Sequence, residues 1–337
     1  MKRKIVILFV IILGGLLYYL SQQTKKIELI GNSMGTTYRV IYYKPIYQSE
    51  EKIKSLIESK LNNINNIFST YAYKSEVYQL NRNNSVNQIK ISQELLDLLL
   101  LNKKLFNESN GLYDPTVKPL VDLWGFGIKD SISFPNIESI NNIKKKVGLN
   151  KLIINQNTIT KTASGIKLDF SSSAKGLAVD EVCDVLSRNY VKSYLVEIGG
   201  EIRGSENKGK DDFWVVGIID PRKNKPNAYA KINLRNQAIA TSGDYYQYFI
   251  HNNKFYSHII NPKTGYPIEH KLTSVSVVAD NCVIADAYAT FLMLMSVKNG
   301  IKFVEKNKNI EALFLIKSGK KIIPLKSSNF PYLITDN

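Results

Sequence analysis

An aspartate and a threonine stand one helical turn apart in an apolar segment near the C-terminus. The segment runs from Asn281 to Met295, and Asp286 and Thr290 share one of its faces. Burying a carboxylate costs several kcal/mol unless a partner compensates it. A carboxylate and a hydroxyl are also hard oxygen ligands of the kind that Mg²⁺ prefers. The pair is a candidate metal site, and a bond to a buried arginine or backbone amide is the alternative.

A second candidate lies between Leu168 and Asp180, where a strand ends at Asp169 and three serines precede a helix. Serines at a helix start are expected to cap its free N–H groups, and that end of a helix attracts phosphate. Lys175 opposes the helix dipole in the first turn, which a bound anion would explain. A plain cap with a solvated lysine is the alternative.

A histidine and a pair of glycines form a third group. His258 precedes a Pro/Gly turn among polar residues and could act as a general base near neutral pH, although a lone histidine is also commonly structural. The segment Val196–Glu201 places two glycines after a strand, which lets the backbone approach a ligand closely. Taken alone, that second pattern indicates only a turn.

A fourth segment combines aromatic residues with an acid and a proline turn. It runs from Gly111 to Phe126 and includes Asp114 before Pro115. Such a group could clamp a planar ring. Trp124 and Phe126 are equally compatible with a role in the hydrophobic core.

The elements that must position these residues mix helices and strands without a regular βαβ rhythm. Helical spacing predicts four helices, at Glu50–Phe68, Ser92–Phe106, Ala174–Asn189 and Cys282–Val297. Short β-like runs predict six strands, at Thr36–Tyr43, Leu152–Ile154, Tyr194–Ile198, Phe213–Ile219, Ala230–Leu234 and Ser274–Ala279. The pattern indicates an α+β fold with mainly antiparallel sheet. A classical dinucleotide fold is disfavoured, because no G-x-G-x-x-G follows a strand and opens a helix.

Composition narrows the chemistry further. The chain has 337 residues, 44% of them hydrophobic, and a formal charge of +16. Two Cys exclude a disulfide scaffold and a closed Cys-rich zinc site, and three His leave little for a His-built centre. A metal would therefore be held mainly by oxygen. Nucleic-acid binding is disfavoured, because the lysines are scattered among Asn-rich loops without a groove-binding motif.

The N-terminus has the pattern of a membrane-targeting segment. A basic start, Met1–Lys4, precedes an apolar run from Ile5 to Leu20. The absence of a small-x-small site favours an uncleaved signal anchor over a cleaved signal peptide. Basic residues stay cytoplasmic, so residues 24 onward are expected on the periplasmic or extracytoplasmic side of a bacterial inner membrane. The predicted organisation is an anchor at 1–23 and one domain at 24–337.

Read in order, these segments resemble the FAD:protein FMN transferases, also called ApbE-type flavin transferases. The resemblance begins at Met34-Gly-Thr36 and spans about residues 31–300. The motifs that carry it are Tyr71, Ser75–Asn81, Asp114-Pro-Thr116, Leu123–Phe126, Asp169–Asp180, Glu197–Gly200, Trp214–Pro221, Thr241–Gly243, Ser257–Pro262, Ala285–Ala287 and Thr290. Many motifs in one order make a stronger signal than any of them alone.

The resemblance implies an α+β fold that binds FAD between two lobes, with Mg²⁺ at the pyrophosphate. It also implies transfer of FMN to a Thr or Ser hydroxyl of an acceptor protein, with release of AMP. By matching position, His258 would be the base and Ser172, Asp286 and Thr290 would hold the metal. The residues expected to contact FAD are Met34, Tyr71, Leu112, Tyr113, Asp114, Asp169, Lys175 and Ile259.

Three departures from the family pattern are visible. Ser171 and Ser172 stand where many members have glycine, and Asn261 stands where many have aspartate. The usual lipid-attachment Cys is absent, so anchoring depends on the apolar run. Two other functions remain open at this point: hydrolysis of FAD to FMN and AMP, and non-catalytic flavin binding. Family acceptors carry a segment similar to Asp-x-x-Ser/Thr-Gly-Ala-Thr, which this chain lacks, so self-modification is not expected.

Overall fold

One antiparallel sheet of eight strands organises the fold. The computed structural model describes residues 7, 9, 11–15, 23–127, 134–209, 212–222, 228–245 and 247–331. In spatial order the strands are β1 (Thr24–Ser33), β2 (Thr36–Pro45), β6 (Ser193–Ile198), β7 (Glu201–Gly204), β10 (Gln237–Gly243), β13 (Leu272–Ala279), β14 (Ile310–Ser318) and β15 (Lys321–Lys326). Every neighbouring pair is antiparallel. The expected α+β class with mainly antiparallel sheet is confirmed, whereas the division into two lobes stays a prediction.

The first hairpin shows how local sequence sets the register of the sheet. Ser33 pairs with Thr36, so β1 and β2 are joined by only Met34 and Gly35. Both residues have positive φ, 52° and 74°. A two-residue turn with positive φ at both positions matches the twist of the flanking strands. The turn therefore presents Met34 at a fixed place on the edge of the sheet.

Both faces of the central strands of the large sheet are buried, whereas its edge strands β1 and β15 are largely exposed. The main hydrophobic core covers one face and includes Val40, Val196 and Val277. A hairpin of β8 (Trp214–Ile219) and β9 (Ala228–Leu234) packs on the other face. Burial on both sides explains why all eight residues of β13 are buried. The alternation Ser274-Val275-Ser276-Val277 in this strand therefore does not mark a solvent-facing side, because both serines are buried.

Eight helices surround the sheet within the described residues. They are α1 (Glu50–Phe68), α2 (Glu76–Arg82), α3 (Gln93–Glu108), α4 (Lys118–Leu123), α5 (Ile137–Lys144), α6 (Ala174–Arg188), α7 (Cys282–Met293) and α8 (Val297–Lys306). Serine side chains cap α1 and α3, where Ser49 accepts the N–H of Lys52 and Ser92 accepts the N–H of Leu95. All four predicted helices and all six predicted strands are present, with ends that shift by a few residues.

The helix expected at Cys282–Val297 is too long in the prediction. It ends at Met293, and a new helix begins at Val297. Ser296 is the cause, because its side chain accepts the N–H of Asn299 and so starts α8. The apolar run continued past the break, so periodicity alone did not show it.

Two small sheets and an aromatic cluster complete the fold. The sheets are β3 (Ile89–Lys90), β5 (Thr158–Lys161) and β4 (Leu152–Asn155), and the pair β11 (Tyr248–His251) and β12 (Lys254–Ser257). Trp124 lies at the centre of the cluster and stacks on Tyr256, with 5.7 Å between ring centroids. Its indole N–H donates to the carbonyl of Gly265 at 2.7 Å. Trp124 is therefore a core residue, the second of the two roles considered for it.

The described residues contain no helix that is long and apolar enough to cross a membrane. Most of the predicted anchor at 1–23 lies outside the described residues, which include only 7, 9, 11–15 and 23 of that segment. The anchor and the domain boundary at 24 stay predictions.

Candidate active site

A cavity of about 500 Å³ gathers every site residue that the sequence analysis proposed. They come from six stretches of the chain that lie far apart in the sequence. The lining includes Met34, Tyr71, Leu112, Tyr113, Asp114, Asp169, Ser172, Lys175, His258, Ile259, Asp286 and Thr290. This convergence makes the cavity the candidate active site.

Helices α6 and α7 fix the polar end of the cavity by capping each other. The Asp286 Oδ2 of α7 accepts the N–H of Gly176 at 2.9 Å, in the first turn of α6. In return, the carboxylate of Asp180 on α6 accepts the N–H groups of Cys282 and Val283 at the start of α7, at 2.9 and 2.8 Å. A carboxylate at a helix N-terminus is favourable for both hydrogen bonding and the dipole. The two helix starts are therefore held in one geometry.

The contact between these helices depends on glycine at position 176. A Cβ placed there would lie 2.4 Å from the carbonyl oxygen of Cys282 and 2.8 Å from the Asp286 Cβ. Both distances are far inside van der Waals contact. Gly176 is therefore what allows the backbone of α6 to approach α7 so closely.

The expected serine cap of α6 is wrong. Ser173 is the N-cap residue, but its side chain makes no capping bond and instead accepts from the Asn102 amide at 3.1 Å. Ser172 Oγ lies 2.7 Å from the hydroxyl of Tyr113, which donates to Asn102 Oδ1 at 2.6 Å. The side chain of Asn102 on α3 bonds the hydroxyl of Ser173, which would otherwise cap α6. The acid from α7 takes over the capping role.

Three oxygen-bearing side chains proposed as metal ligands line this polar end. Asp286 is 3% exposed, and burial raises its pKa above the ordinary value, opposed by the charge of Lys175. Thr290 Oγ1 lies 2.8 Å from the hydroxyl of Ser242 on β10. With an oxygen of Ser172, either its carbonyl or its hydroxyl, these residues offer three hard oxygen donors, a set that suits Mg²⁺. No cluster of three or more His, Cys, Asp or Glu residues with metal-binding geometry occurs among the described residues.

An ion pair between the partly exposed Lys175 and a buried glutamate joins α6 to the sheet. The Lys175 ammonium donates to Glu201 Oε1 at 2.7 Å, and Glu201 opens β7. Glu201 is 3% exposed, and burial raises its pKa to about 8, with the charge of nearby Asp286 adding to the rise. The cavity thus holds one cation beside two buried acids.

Another part of the cavity wall is formed by the segment Leu112–Asp114. The hydroxyl and the N–H of Thr116 both bond Asp114 Oδ1, at 2.6 and 2.8 Å. Burial raises the pKa of this carboxyl above its ordinary value. Val121, Phe126 and Ile260 line the same region. Phe126 therefore belongs to the cavity wall, whereas Trp124 supports it from the core.

Asp169 is placed by two hydrogen-bonded supports. Its N–H donates to the carbonyl of Pro115 at 2.8 Å, which ties it to the segment of Asp114. The Asn81 side chain both donates to the carbonyl of Leu168 at 2.8 Å and accepts its N–H at 2.7 Å. An amide that bonds both backbone groups of a neighbour fixes that residue in position.

His258 follows β12 at the rim of the cavity. Its Nδ1 lies 2.9 Å from the carbonyl oxygen of Gln247, which can only accept a hydrogen bond. The Nδ1 nitrogen therefore carries the proton, and the neutral ring has its lone pair on Nε2. Burial lowers the pKa of His258 below its ordinary value, with the charge of Lys175 adding to the fall. The ring is thus kept in the neutral form that a general base needs.

Three further predicted residues border the opening. Met34 is held by the β1–β2 turn, Ile259 is buried next to His258, and Tyr71 is 63% exposed. Beside them, the Asn261 side chain accepts the N–H of Lys263 at 2.9 Å and so forms a local turn. Asn261 therefore closes this turn with its amide oxygen, as an aspartate would with a carboxylate oxygen.

Sequence reasoning missed several residues that shape the site. Glu201 was seen only as the end of a turn motif, although its charge directly after two glycines was a usable signal. Asn81 lay inside a quoted motif without a role. Ser242 likewise lay inside the quoted motif Thr241–Gly243 without a role, and Asn102 left no signal, because its partner Ser173 lies 71 positions away.

Comparison with known proteins gives one consistent result. The ApbE family model matches residues 34–314. A protein from Haemophilus influenzae named FAD:protein FMN transferase is 36% identical over 321 residues, which cover 93% of this chain and 92% of that protein. One of the same name from Vibrio cholerae is 35% identical and covers 92% of this chain and 93% of its own.

Solved structures agree with this result. The flavin transferase ApbE from Vibrio cholerae has a TM-score of 0.83 at 34% identity, over 91% of this chain and 99% of that chain. A flavinyl transferase ApbE from Pseudomonas stutzeri in its apo form also has a TM-score of 0.83, at 31% identity, over 91% and 96%. These matches confirm the resemblance drawn from the motifs. This chain belongs to the ApbE family.

Proposed function

We propose that this protein transfers the FMN part of FAD to a Thr or Ser hydroxyl of an acceptor protein and releases AMP. The observation that carries the proposal is the convergence of twelve residues from distant segments on one cavity, whose lining contains both polar and apolar side chains. The relatives' common name, FAD:protein FMN transferase, supports the same reaction. The chain is accordingly a transferase.

The polar and apolar side chains of the cavity suit the two kinds of group in FAD, the diphosphate and the planar ring. Lys175 and the start of α6 provide positive potential for the diphosphate. Leu112, Tyr113 and Ile259 provide apolar surface for a planar ring. The proposed FAD site is completed by four other residues of the cavity lining: Met34, Tyr71, Asp114 and Asp169.

Ser172, Asp286 and Thr290 would hold Mg²⁺ at the diphosphate. The fit rests on the chemistry of the donors, since all three are hard oxygen ligands on the wall of one cavity. Asp286 is buried with a raised pKa, so a neighbouring cation would favour its charged form. When bound, the metal supplies charge compensation for the phosphates as the bond to AMP breaks.

His258 would activate the acceptor. Its Nε2 takes the proton of the incoming hydroxyl, whose oxygen then forms a bond to the phosphorus of the FMN part. The bond between that phosphorus and the oxygen of the AMP part breaks, and AMP leaves with the electron pair. Lys175 stabilises the negative charge that builds on the phosphate oxygens. The covalent product is a phosphoester between FMN and the acceptor side chain.

The location of the enzyme and the nature of its partner form part of the same proposal. The basic and apolar N-terminus supports an uncleaved anchor in a bacterial inner membrane, with the catalytic domain on the periplasmic or extracytoplasmic side. The partner would carry a Thr or Ser flavinylation segment and would be a membrane redox subunit. No nucleic acid takes part.

The test incubates the full-length chain with FAD, Mg²⁺ and a folded domain that carries an Asp-x-x-Ser/Thr-Gly-Ala-Thr segment. A fluorescent acceptor whose mass has increased by FMN supports the proposal. Free FMN with an unmodified acceptor would make the protein a hydrolase, and unchanged FAD would make it a binding protein. A second test replaces the proposed metal ligand, in the variant Asp286→Ala, which should lose transfer. Asp184→Ala is its matched control, because Asp184 is an exposed aspartate on α6 that pairs with Arg188.

A further inference from the structure

Glu201 carries a cost that the fold alone does not explain. It is a buried carboxylate on the cavity wall, and only its Oε1 is bonded, to the ammonium of Lys175. Its Oε2 is fully buried and has no hydrogen-bond partner among the described residues. An unsatisfied buried carboxylate oxygen destabilises a protein. A group kept at such a cost inside a functional cavity points to a role in the function of that cavity.

Lys175 is a side chain that needs to be held. It is in the first turn of α6, where the helix dipole repels a cation. Its flexible four-carbon stem allows the ammonium several positions. The contact with Glu201 fixes the end of that stem, because Glu201 is anchored in β7.

The glycine turn before Glu201 supports the stem itself. Gly199 has a φ of 63°, and a Cβ added there would lie 3.4 Å from Lys175 Cδ and 2.8 Å from Thr36 Cγ2. The backbone of the turn therefore lies directly against the lysine. Contact at the stem and a bond at the tip together define one position for the ammonium.

We propose that the segment Gly199–Glu201 positions the Lys175 ammonium for the diphosphate of the substrate, with Glu201 as the positioning residue. This inference rests on the proposed function. Replacing Glu201 should change the rate of transfer and not the affinity for FAD, because the charge of Lys175 stays in the cavity and FAD still binds. The ammonium loses its fixed place, so the charge that develops during transfer is stabilised less well.

The test compares two replacements of similar volume in the full-length chain. Glu201→Gln keeps an acceptor oxygen for Lys175, whereas Glu201→Met removes it. With FAD, Mg²⁺ and the acceptor domain described above, we expect Glu201→Met to lower kcat by about 10- to 100-fold. Its Kd for FAD should stay within about threefold of wild type, and Glu201→Gln should recover most of kcat.

A double-mutant cycle checks that Glu201 acts through Lys175. In a Lys175→Met background, Glu201→Met should lower kcat no further, because the group it positions is already gone. Glu108→Met is the control, since Glu108 is a partly buried acid that accepts from Tyr288 at 2.7 Å outside the cavity. It should leave kcat unchanged.

Four results would overturn the proposal: normal kcat in Glu201→Met, no recovery in Glu201→Gln, independent effects in the cycle, or a parallel loss of FAD affinity. If neither Glu201→Met nor Glu201→Ala folds, Glu201 is a structural residue and the proposal also fails. A wild-type chain that binds FAD but modifies no acceptor would instead refute the proposed function. The two failures are thus distinguishable.

Discussion

Replacing Gly176 by alanine should separate the two helices that form the polar end of the active site. The new Cβ would lie 2.4 Å from the Cys282 carbonyl oxygen and 2.7 Å from its carbon, both backbone atoms. Ordinary contact begins at 3.4 Å, so α6 and α7 must move apart by about 1 Å. No side-chain rotation can relieve the overlap.

The expected cost has two opposing contributions. Overpacking of this kind costs about 1–3 kcal/mol, whereas alanine in a helix gains about 1 kcal/mol over glycine. Weakening the bond from the Gly176 N–H to Asp286, now 2.9 Å, adds about 1 kcal/mol to the cost. The free energy of unfolding should therefore fall by about 1–3 kcal/mol. Because Lys175 and Ser172 move with α6 while Asp286 and Thr290 stay on α7, kcat should fall about 100-fold.

Urea denaturation and the FMN-transfer assay measure the two effects. Gly300→Ala is the matched control, because Gly300 is also near a helix start but its added Cβ would meet the Phe314 ring, at 2.9 Å, rather than backbone. That control should keep wild-type kcat. A Gly176→Ala chain with normal stability and normal transfer would show that the α6–α7 contact does not set the site geometry.

Four further predictions concern residues of the site. Asp286→Ala should abolish Mg²⁺-dependent transfer, measured as acceptor fluorescence with and without EDTA; wild-type rates would remove the metal assignment. His258→Ala should bind FAD normally but transfer it slowly, and loss of FAD affinity would make His258 a binding residue. Because burial lowers the pKa of His258 from 6.5, the neutral base persists as pH falls, so an NMR titration of the ring protons of His258 in the wild-type chain should give a pKa below 6.5; a pKa above 6.5 would contradict the burial argument. Asn81→Ala should raise the Kd for FAD several-fold, because Leu168 loses both amide bonds and Asp169 is no longer fixed; titration of FAD fluorescence tests this, and an unchanged Kd would show that Asp169 needs no such support.

The long amphipathic helices were predictable, whereas several strands, both long and short, were not. The helix Glu50–Phe68 matches its prediction at both ends, because its apolar spacing and the Ser49 cap give the same limits. Strands such as β7 and β12 have four residues each, too few for periodicity to identify. The break before Val297 depended on one serine hydroxyl inside an apolar run. Local sequence carries these details only weakly, and tertiary packing decides them.

The site divides in the same way. Residues that belong to recognisable motifs, such as Lys175 and Asp286, were identified with their chemistry. The supporting residues were not, since their roles depend on long-range partners. The amide of Asn102 bonds Ser173 across 71 positions and overrides the capping that a serine would normally provide. Composition and spacing identify Ser173 as a potential cap, but they do not show that Asn102, which is distant in sequence, bonds its hydroxyl.

The reciprocal caps of α6 and α7 suggest why one acid can take part in chemistry while the other cannot. Asp180 on α6 stabilises the start of α7, and Asp286 on α7 stabilises the start of α6, so both acids are structural. Asp180 accepts two backbone N–H groups and the Arg203 guanidinium at 2.7 Å, and it does not line the cavity. Asp286 accepts one hydrogen bond within the described part of the chain, from Gly176, and it faces the cavity. A carboxylate already fixed by its cap but not saturated by donors can bind a cation without being reorganised, which is the condition that a preorganised site requires.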